Sequence, residues 1–245
     1  MNFHVVTIFP EMLISYLNES IIGSAIKNKI ITVNTYALRN YTTDKHRRVD
    51  GKPFAGGPGM VMWVDPIVKC IEKIKEKIQK DYNKDYLKYE LKKEEKKTKE
   101  KFLVNKKPKK PKILFVHFNP GAEKFTTNIA KEISQKYTDI IFVCGRYEGV
   151  DNRVSEIYKG LEISIGDYVL TGGELPTMIM IDSISRQVNG VLNKINSLEE
   201  NRVSSHKVYG RPEVYKFKNK NYKVPAVLLS GNHKEIEKWK LDTNK

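Results

Sequence analysis

A glycine-rich segment between Ser164 and Pro176 combines the residue types that hold a ligand close to the main chain. It contains Gly166, Gly172 and Gly173 and continues into an apolar stretch with helical character. Glycine adopts positive φ and has no Cβ, so a small molecule can approach its backbone directly. An ordinary turn between a strand and a helix has a similar composition, and this segment alone favours neither interpretation.

Two further segments of the same kind favour the binding interpretation. The apolar run Ile140 to Cys144 predicts a buried strand, and it leads into the turn Gly145 to Gly149, which carries a base, an aromatic ring and an acid. A glycine cluster at residues 54–60 follows the basic run at residues 45–48. Polar groups at the carboxyl end of a parallel strand mark binding crevices in α/β folds. The sequence therefore predicts a binding site assembled from several loops.

Six short motifs occur in order along the chain: Phe9-Pro10-Glu11-Met12, Arg47-Arg48-Val49-Asp50, Gly57-Pro58-Gly59-Met60, Cys144-Gly145-Arg146-Tyr147-Glu148-Gly149, Ile181-Asp182-Ser183 and Leu229-Ser230-Gly231-Asn232-His233. With the sequence around them, from Asn2 to about Leu241 and with one insertion, they resemble the bacterial tRNA (guanine-N1-)-methyltransferase family. The resemblance implies a trefoil-knotted α/β domain of the SPOUT class, a smaller helical C-terminal domain and a homodimer. It also implies methyl transfer from S-adenosylmethionine to N1 of the guanine 3′ of the tRNA anticodon, position 37.

The resemblance implies a donor site made from three loops, at residues 117–121, 145–149 and 164–173. The first of them departs most from the family, because Gly121-Ala122 stands where the family usually has a polar residue followed by glycine. A plain turn at a strand end is the alternative interpretation of that loop. The implied S-adenosylmethionine-binding residues are His117, Phe118, Asn119, Pro120, Gly145, Tyr147, Glu148, Gly149, Ser164, Ile165, Gly166, Asp167, Tyr168, Val169, Leu170, Gly172, Gly173 and Pro176.

The resemblance also implies residues for RNA and a metal ion. RNA binding maps onto Arg47, Arg48, Gly57, Pro58 and Gly59. The family needs Mg²⁺, a hard cation that prefers oxygen ligands. Glu148, in the turn from Gly145 to Gly149, is a candidate to assist binding of the donor or of the ion. The sequence has no dedicated carboxylate cage, so no metal ligand is assigned.

Catalysis requires removal of the hydrogen on guanine N1 while negative charge develops at O6. In the family an arginine steadies that charge, a role that suits a guanidinium, and it maps onto Arg186. A helix-surface arginine in an ion pair is the alternative. The family's aspartate base maps onto Asn201, whose amide cannot accept the proton. Either neighbouring Glu200 serves as the base or the enzyme is crippled.

The basic charge of the chain is concentrated in one segment. The 245 residues carry a net charge of +15, and residues 73–112 contain 17 lysines and 7 acids. Few aliphatic residues and many charges are typical of a solvated helix that passes into a flexible or polyproline-like linker. This insertion has two interpretations, a solvated segment without a ligand or an arm that attracts RNA phosphates in a salt-dependent way.

The chain has the features of a soluble cytoplasmic protein. Cys70 and Cys144 form no disulfide framework or metal spacing, which is typical of a reducing compartment. The N-terminus has no signal-peptide pattern. No apolar run approaches the roughly 18 residues that a membrane span needs.

Alternating strand and helix patterns predict a parallel sheet covered on both faces by helices. We expect a donor-binding domain at residues 1–189, a linker at 190–210 and a short C-terminal tRNA-binding lobe at 211–245, which ends earlier than in the family. The strands are expected at residues 3–9, 30–38, 113–118 and 140–144. The helices are expected at residues 11–29, 65–78, 126–137, 150–158, 175–188 and 233–241.

Two rival functions remain open from the sequence. One is a knotted RNA methyltransferase with another target, which the motifs at residues 47–50 and 57–60 disfavour. The other is a non-catalytic RNA- or cofactor-binding remnant, which Asn201 and the shortened C-terminus favour. A nucleotide hydrolase is disfavoured, because the chain has no Gly-x-x-x-x-Gly-Lys-Ser/Thr phosphate loop.

Overall fold

The protein has two compact units, Met1–Val191 and Leu192–Lys245. The structure is a computed structural model that describes residues 1–54, 56–96, 107–192 and 207–242. In chain order the elements of the N-terminal unit are β1 (Asn2–Thr7), α1 (Ile14–Leu17), α2 (Ser20–Lys27), β2 (Thr32–Ala37), β3 (Asp50–Gly51), β4 (Val61–Met62), α3 (Val64–Lys96), β5 (Ile113–Phe118), α4 (Thr127–Lys136), β6 (Asp139–Val143), α5 (Arg153–Tyr158), β7 (Leu161–Ile163) and α6 (Glu174–Arg186).

A five-stranded sheet in the order β2-β1-β6-β5-β7 forms the centre of the N-terminal unit. All of its strand pairs are parallel. The prediction of an α/β fold with a parallel sheet is therefore confirmed. Strand β6 lies in the middle, and every one of its residues is buried.

Both faces of the sheet are covered. Successive residues of a strand point to opposite faces, so Phe3 and Phe142 belong to one core while Val6 and Ile141 belong to the other. The first core is completed by residues of α2, α4 and α6, and the second by residues of α3 and α5. Helices on both faces are the arrangement that the alternating sequence pattern predicted.

The segment at residues 11–29, predicted as a helix, is broken. It forms a 3₁₀ turn at Pro10–Leu13, then α1 and α2, and Ser20, the first residue of α2, has a φ of 54°. Gly23 lies so close to the backbone of Asn18 that a Cβ would collide with it. Apolar spacing alone cannot distinguish one helix from two short helices separated by a tight turn.

Helix α3 continues beyond residue 78 through the lysine-rich insertion to Lys96, in agreement with the solvated helix predicted there. Ile74 and Ile78 are buried, so the first part of the lysine-rich insertion belongs to the core. Beyond Ile78 the helix is supported by local contacts such as the ion pair between Lys93 and Glu90, 3.8 Å apart. Around Lys77 it borders the first residues of the strands, at the amino-terminal edge of the sheet.

The C-terminal unit contains the elements β8 (Val214–Phe217), β9 (Lys220–Lys223), α7 (Ala226–Leu229) and α8 (His233–Asp242). Strands β8 and β9 form an antiparallel hairpin that the sequence analysis did not predict. None of the described residues of this unit is buried. Within the described parts of the whole chain, we find no helix with the length and apolar character needed to cross a membrane.

Candidate active site

A cavity of about 460 Å³ lies at the carboxyl ends of β5, β6 and β7. Because parallel strands end at the same edge of the sheet, the loops that follow them meet there. The cavity is lined by every residue predicted to bind S-adenosylmethionine except Gly166 and Asp167. The carboxylate of Asp167 instead contacts the ammonium group of Lys124 at 2.5 Å. The structure therefore brings the three predicted loops together around one space.

The loop after β6 has a shape that depends on its own residues and on Gly59. Tyr147 and Gly149 have φ values of 59° and 116°, in the left-handed region. The loop is attached to the glycine cluster by a hydrogen bond of 3.0 Å from the Glu148 N–H to the Met60 carbonyl. A Cβ on Gly59, whose φ is 89°, would lie 2.5 Å from the Glu148 carboxylate, so only glycine fits at this position.

The loop after β7 packs directly on the loop after β6. The Gly173 N–H donates a 2.9 Å hydrogen bond to the Gly145 carbonyl. A Cβ on Gly173 would lie 2.6 Å from Cys144 Cα, and one on Gly172 would collide with the Arg146 side chain. These two glycines therefore let the backbones approach each other and form a wall of the cavity.

A buried ionic group lies beneath this wall. The Glu174 carboxylate is 2.8 Å from Arg146 Nη2 and accepts a 2.6 Å hydrogen bond from the Thr7 hydroxyl. The Glu174 side chain is 1% exposed and that of Arg146 is 14% exposed. The Arg146 guanidinium also lies 4.8 Å from the centre of the Phe9 ring. The group ties β1, the loop after β6 and the start of α6 together.

Arg146 and Thr171 line the cavity but were absent from the predicted binding residues. The sequence signal for Arg146 was its position inside the Gly145 to Gly149 turn. Its pairing with Glu174 joins residues far apart in the chain, and no local pattern indicates that contact.

Replacing Glu174 by Gln should lower the free energy of unfolding by about 3 kcal/mol, because Arg146 would keep a largely buried charge without its counter-ion. Equilibrium unfolding in urea measures the change. The matched control is Glu132→Gln on the exposed side of α4, which should change stability by less than about 0.5 kcal/mol. Equal stabilities of the two variants would contradict a stabilising role of this ion pair.

A second polar group lines the opposite side of the cavity. His117 Nε2 is 3.2 Å from the Ser155 hydroxyl and 3.4 Å from the Glu162 carboxylate. The Asn119 amide donates a 2.5 Å hydrogen bond to the same carboxylate. Within the described part of the chain, buried His117 Nδ1 has no hydrogen-bond partner.

The remaining titratable groups near the cavity do not provide a reactive nucleophile among the described residues. Burial raises the pKa of the Cys144 thiol far above its ordinary value, and the thiol lies 3.3 Å from the Thr177 hydroxyl. Hydrogen bonds from the Arg153 guanidinium lower the pKa of Asp151. The cavity is thus suited to hold a reactive ligand rather than to form a covalent bond with it.

A larger cavity of about 960 Å³ adjoins the first one and shares Glu148, Val150 and Asn152 with it. Asp44 lines this second cavity and forms a 2.8 Å ion pair with Arg48. Hydrogen bonds from Arg48 lower the pKa of the Asp44 carboxyl group well below its ordinary value.

The other residues predicted to contact RNA are close in sequence to residues that line this second cavity. The Arg47 carbonyl accepts a hydrogen bond from Arg39, and Gly57, Pro58 and Gly59 follow Phe54, which lines the second cavity. Phe54 is fully exposed. The structure thus places the predicted RNA-binding segments beside the first cavity.

Arg186, the predicted catalytic residue that the structure describes, does not line the first cavity. Arg186 is the last residue of α6, about 18 Å along the helix from Glu174 at the cavity end. Glu200 and Asn201 lie outside the described residues. In the parts that the structure describes, no three His, Cys, Asp or Glu side chains are close enough together to hold a metal ion.

Comparison with known proteins gives consistent matches along the chain. A family model described as tRNA (Guanine-1)-methyltransferase TrmD matches residues 1–105 and 91–245. A protein of Lachnoclostridium phytofermentans is 40% identical over 98% of this chain and 85% of its own length. One of Clostridioides difficile is 39% identical over 98% and 90% of the two chains, and one of Buchnera aphidicola is 39% identical over 98% and 87%. All three relatives are named tRNA (guanine-N(1)-)-methyltransferase.

Proposed function

Since this chain belongs to the tRNA (guanine-1)-methyltransferase family, we propose that it transfers a methyl group from S-adenosylmethionine to N1 of a guanine in tRNA. We further propose that the target is the guanine 3′ of the anticodon, as the motifs imply. The observation that carries the proposal is the cavity formed by three loops, two of them rich in glycine, at the carboxyl edge of the sheet.

The residues of this cavity fit S-adenosylmethionine. Its volume of about 460 Å³ lies within the range of roughly 300–1,000 Å³ that is usual for small-molecule sites. Main chain forms part of its wall, because Gly172 and Gly173 permit the loops after β6 and β7 to touch. The polar residues His117, Asn119 and Glu162 line the cavity and match the polar groups of the donor. When bound, the donor supplies an electrophilic methyl group on sulfur.

The protein must then position the guanine and remove the proton from its N1. A carboxylate such as Glu200 would accept the hydrogen of guanine N1, and an arginine would steady the negative charge at O6. Asn201 cannot act as this base, since its amide has no basic oxygen. Orientation and proton removal together account for the chemistry that the side chains must perform.

A second copy of the chain would bring Arg186 to the reaction. Residues Leu175, Ile179, Asp182 and Arg186 recur at helical spacing on α6 and share one side of it. Leu175 is 49% and Ile179 43% exposed, and exposed Phe9 and Met12, which contact Arg146 beside the start of α6, add to this apolar surface. If two copies pack these α6 faces antiparallel, Arg186 of one lies near the cavity end of α6 in the other. We therefore propose a homodimer in which the partner subunit's Arg186 completes the site.

Ile179→Asp should convert the dimer to a monomer, because an unpaired carboxylate cannot be buried in an apolar interface without a large cost. The methylation rate should then fall by roughly 100-fold or more through loss of the arginine from the site. Sedimentation equilibrium and single-turnover methylation measure the two effects. Ile157→Asp on α5 is the control, since Ile157 is 55% exposed on the opposite face of the sheet. A monomeric native protein with full activity would contradict the shared site.

Four finer features accompany the proposal. The family resemblance supports a trefoil knot in the N-terminal unit, with residues 190–210 as linker and 211–245 as a short tRNA-binding lobe. A tRNA substrate supports a cytoplasmic location. Mg²⁺ would bind together with the donor and RNA. Glu148 is the candidate residue to assist its binding, and no set of metal ligands is assigned. The lysine-rich extension of α3 would steer RNA at long range, since it projects at the sheet edge opposite the donor cavity.

The proposed function is tested by incubating the protein with an unmodified tRNA transcript and S-adenosylmethionine, then mapping methylated guanines by mass spectrometry. We expect one N1-methylguanine, 3′ of the anticodon. Methylation of another base or of a ribose would favour the rival knotted RNA methyltransferase. Donor and RNA binding without any methylation would favour the non-catalytic remnant.

A further inference from the structure

The hairpin of the C-terminal unit carries an aromatic face. Its register pairs Tyr215 with Tyr222 and Phe217 with Lys220. Paired residues and residues two apart point to the same side of a strand pair, so these four side chains share one face. The other face carries Val214, Lys216, Asn221 and Lys223.

The aromatic face is not covered by the rest of its unit. Tyr215 is 59%, Phe217 53% and Tyr222 50% exposed. None of the described residues at 207–242 is buried, so these rings contribute to no core there. Three exposed aromatic rings on two short strands are more than folding of a hairpin needs, and such exposed apolar surface marks an interaction site.

The charges around the rings indicate what the face binds. The Lys220 ammonium lies 5.3 Å from the centre of the Tyr222 ring, and the Lys218 ammonium 5.6 Å from that of Phe217. Residues 207–224 contain six basic residues and one acidic residue, Glu213. Lysines beside aromatic rings would interfere with a purely apolar protein contact, but they match a polyanion whose bases stack while its phosphates are neutralised.

We propose that the face formed by Tyr215, Phe217, Lys220 and Tyr222 is a stacking platform for unpaired nucleotides of RNA. The proposal deepens the proposed function and rests on it, because the RNA would be the tRNA substrate. Bases exposed in a tRNA loop would stack on the tyrosine and phenylalanine rings, and Lys218 and Lys220 would contact the adjacent phosphates. Stacking on aromatic side chains is how proteins hold single-stranded RNA, whose bases are not hidden in a helix.

The test compares the full-length native protein with Tyr215→Ile/Tyr222→Ile. Isoleucine retains strand propensity but has no ring. Binding of an unmodified tRNA transcript and of a single-stranded RNA decamer is measured by fluorescence anisotropy. For one or two stacked bases, we expect both dissociation constants to rise roughly 10- to 100-fold. Tyr215→Phe/Tyr222→Phe should retain affinity within about twofold, because both rings remain, and Asn221→Ala on the opposite face should do the same.

Salt dependence separates stacking from charge. The slope of the logarithm of the binding constant against that of salt concentration should be unchanged in the isoleucine variant. In Lys218→Gln/Lys220→Gln the slope should be less steep by roughly 0.7–0.9 for each lysine that contacts a phosphate. Equal slopes in the glutamine variant and the native protein would contradict the phosphate contacts.

The outcomes distinguish this proposal from the proposed function. Native RNA affinity in the isoleucine variant, together with guanine methylation by the native protein, would overturn the platform alone. Loss of decamer binding in that variant, with no methylation by the native protein, would support the platform and contradict the proposed function. Native RNA affinity with a lower sedimentation mass would show that the face is a protein interface, and the platform would be wrong.

Discussion

Replacement of Gly172 by Val is expected to abolish S-adenosylmethionine binding, with at least about a 100-fold rise in the dissociation constant. A side chain at this position would occupy the space of Arg146, whose Cδ lies 2.6 Å from the position of the added Cβ. Arg146 would be displaced from Glu174, and the loop after β7 would separate from the loop after β6. Isothermal titration calorimetry measures the donor affinity.

Two other glycines make this test specific. A Cβ on Gly210 meets no atom within 4 Å, so Gly210→Val should bind the donor normally. A Cβ on Gly145 meets only Val150, 3.4 Å away, and the backbone at Gly149. Gly145→Val should therefore fold with its cavity wall intact and lose donor binding through the bulk that it adds at the cavity. Unchanged donor affinity in Gly172→Val would contradict the placement of S-adenosylmethionine between these loops.

Replacement of Glu200 by Gln is expected to lower the rate of methylation by roughly 10²- to 10⁴-fold, the usual loss when a general base is removed. The reason is that Asn201 stands at the family's aspartate position and cannot accept a proton, which leaves Glu200 as the neighbouring carboxylate. Donor affinity should be unchanged, since the donor-binding loops lie elsewhere in the chain. Single-turnover methylation with saturating tRNA measures the rate.

Asn201→Asp is the matched variant for this prediction. If Glu200 is the base, a carboxylate at residue 201 should change the rate little. A sharp increase in rate with Asn201→Asp, and no loss with Glu200→Gln, would show instead that the native enzyme is crippled. Equal native rates in both variants would mean that neither residue is the base.

Features that depend on a few neighbouring residues could be predicted from the sequence. The loops after β6 and β7 were identified by their glycines, because positive φ and the lack of a Cβ are properties of single residues, whereas the loop after β5 was implied only by the family resemblance. The parallel sheet followed from apolar strands that alternate with helical patterns. The predicted helix boundaries were wrong where one apolar pattern is compatible with two backbone structures. The break at Ser20 fits the apolar spacing as well as one continuous helix over residues 11–29 did.

The sequence by itself determined the family, the fold class and the loops that border the donor cavity, since each depends on residue type and local spacing. Only the tertiary structure decided which distant residues meet. The contact of Thr7 and Arg146 with Glu174, the distance of Arg186 from the cavity and the aromatic face of the hairpin belong to this second group. The physical reason is that such contacts depend on strand order and on pairing register. A shift of one residue reverses every side chain in a strand without changing its composition.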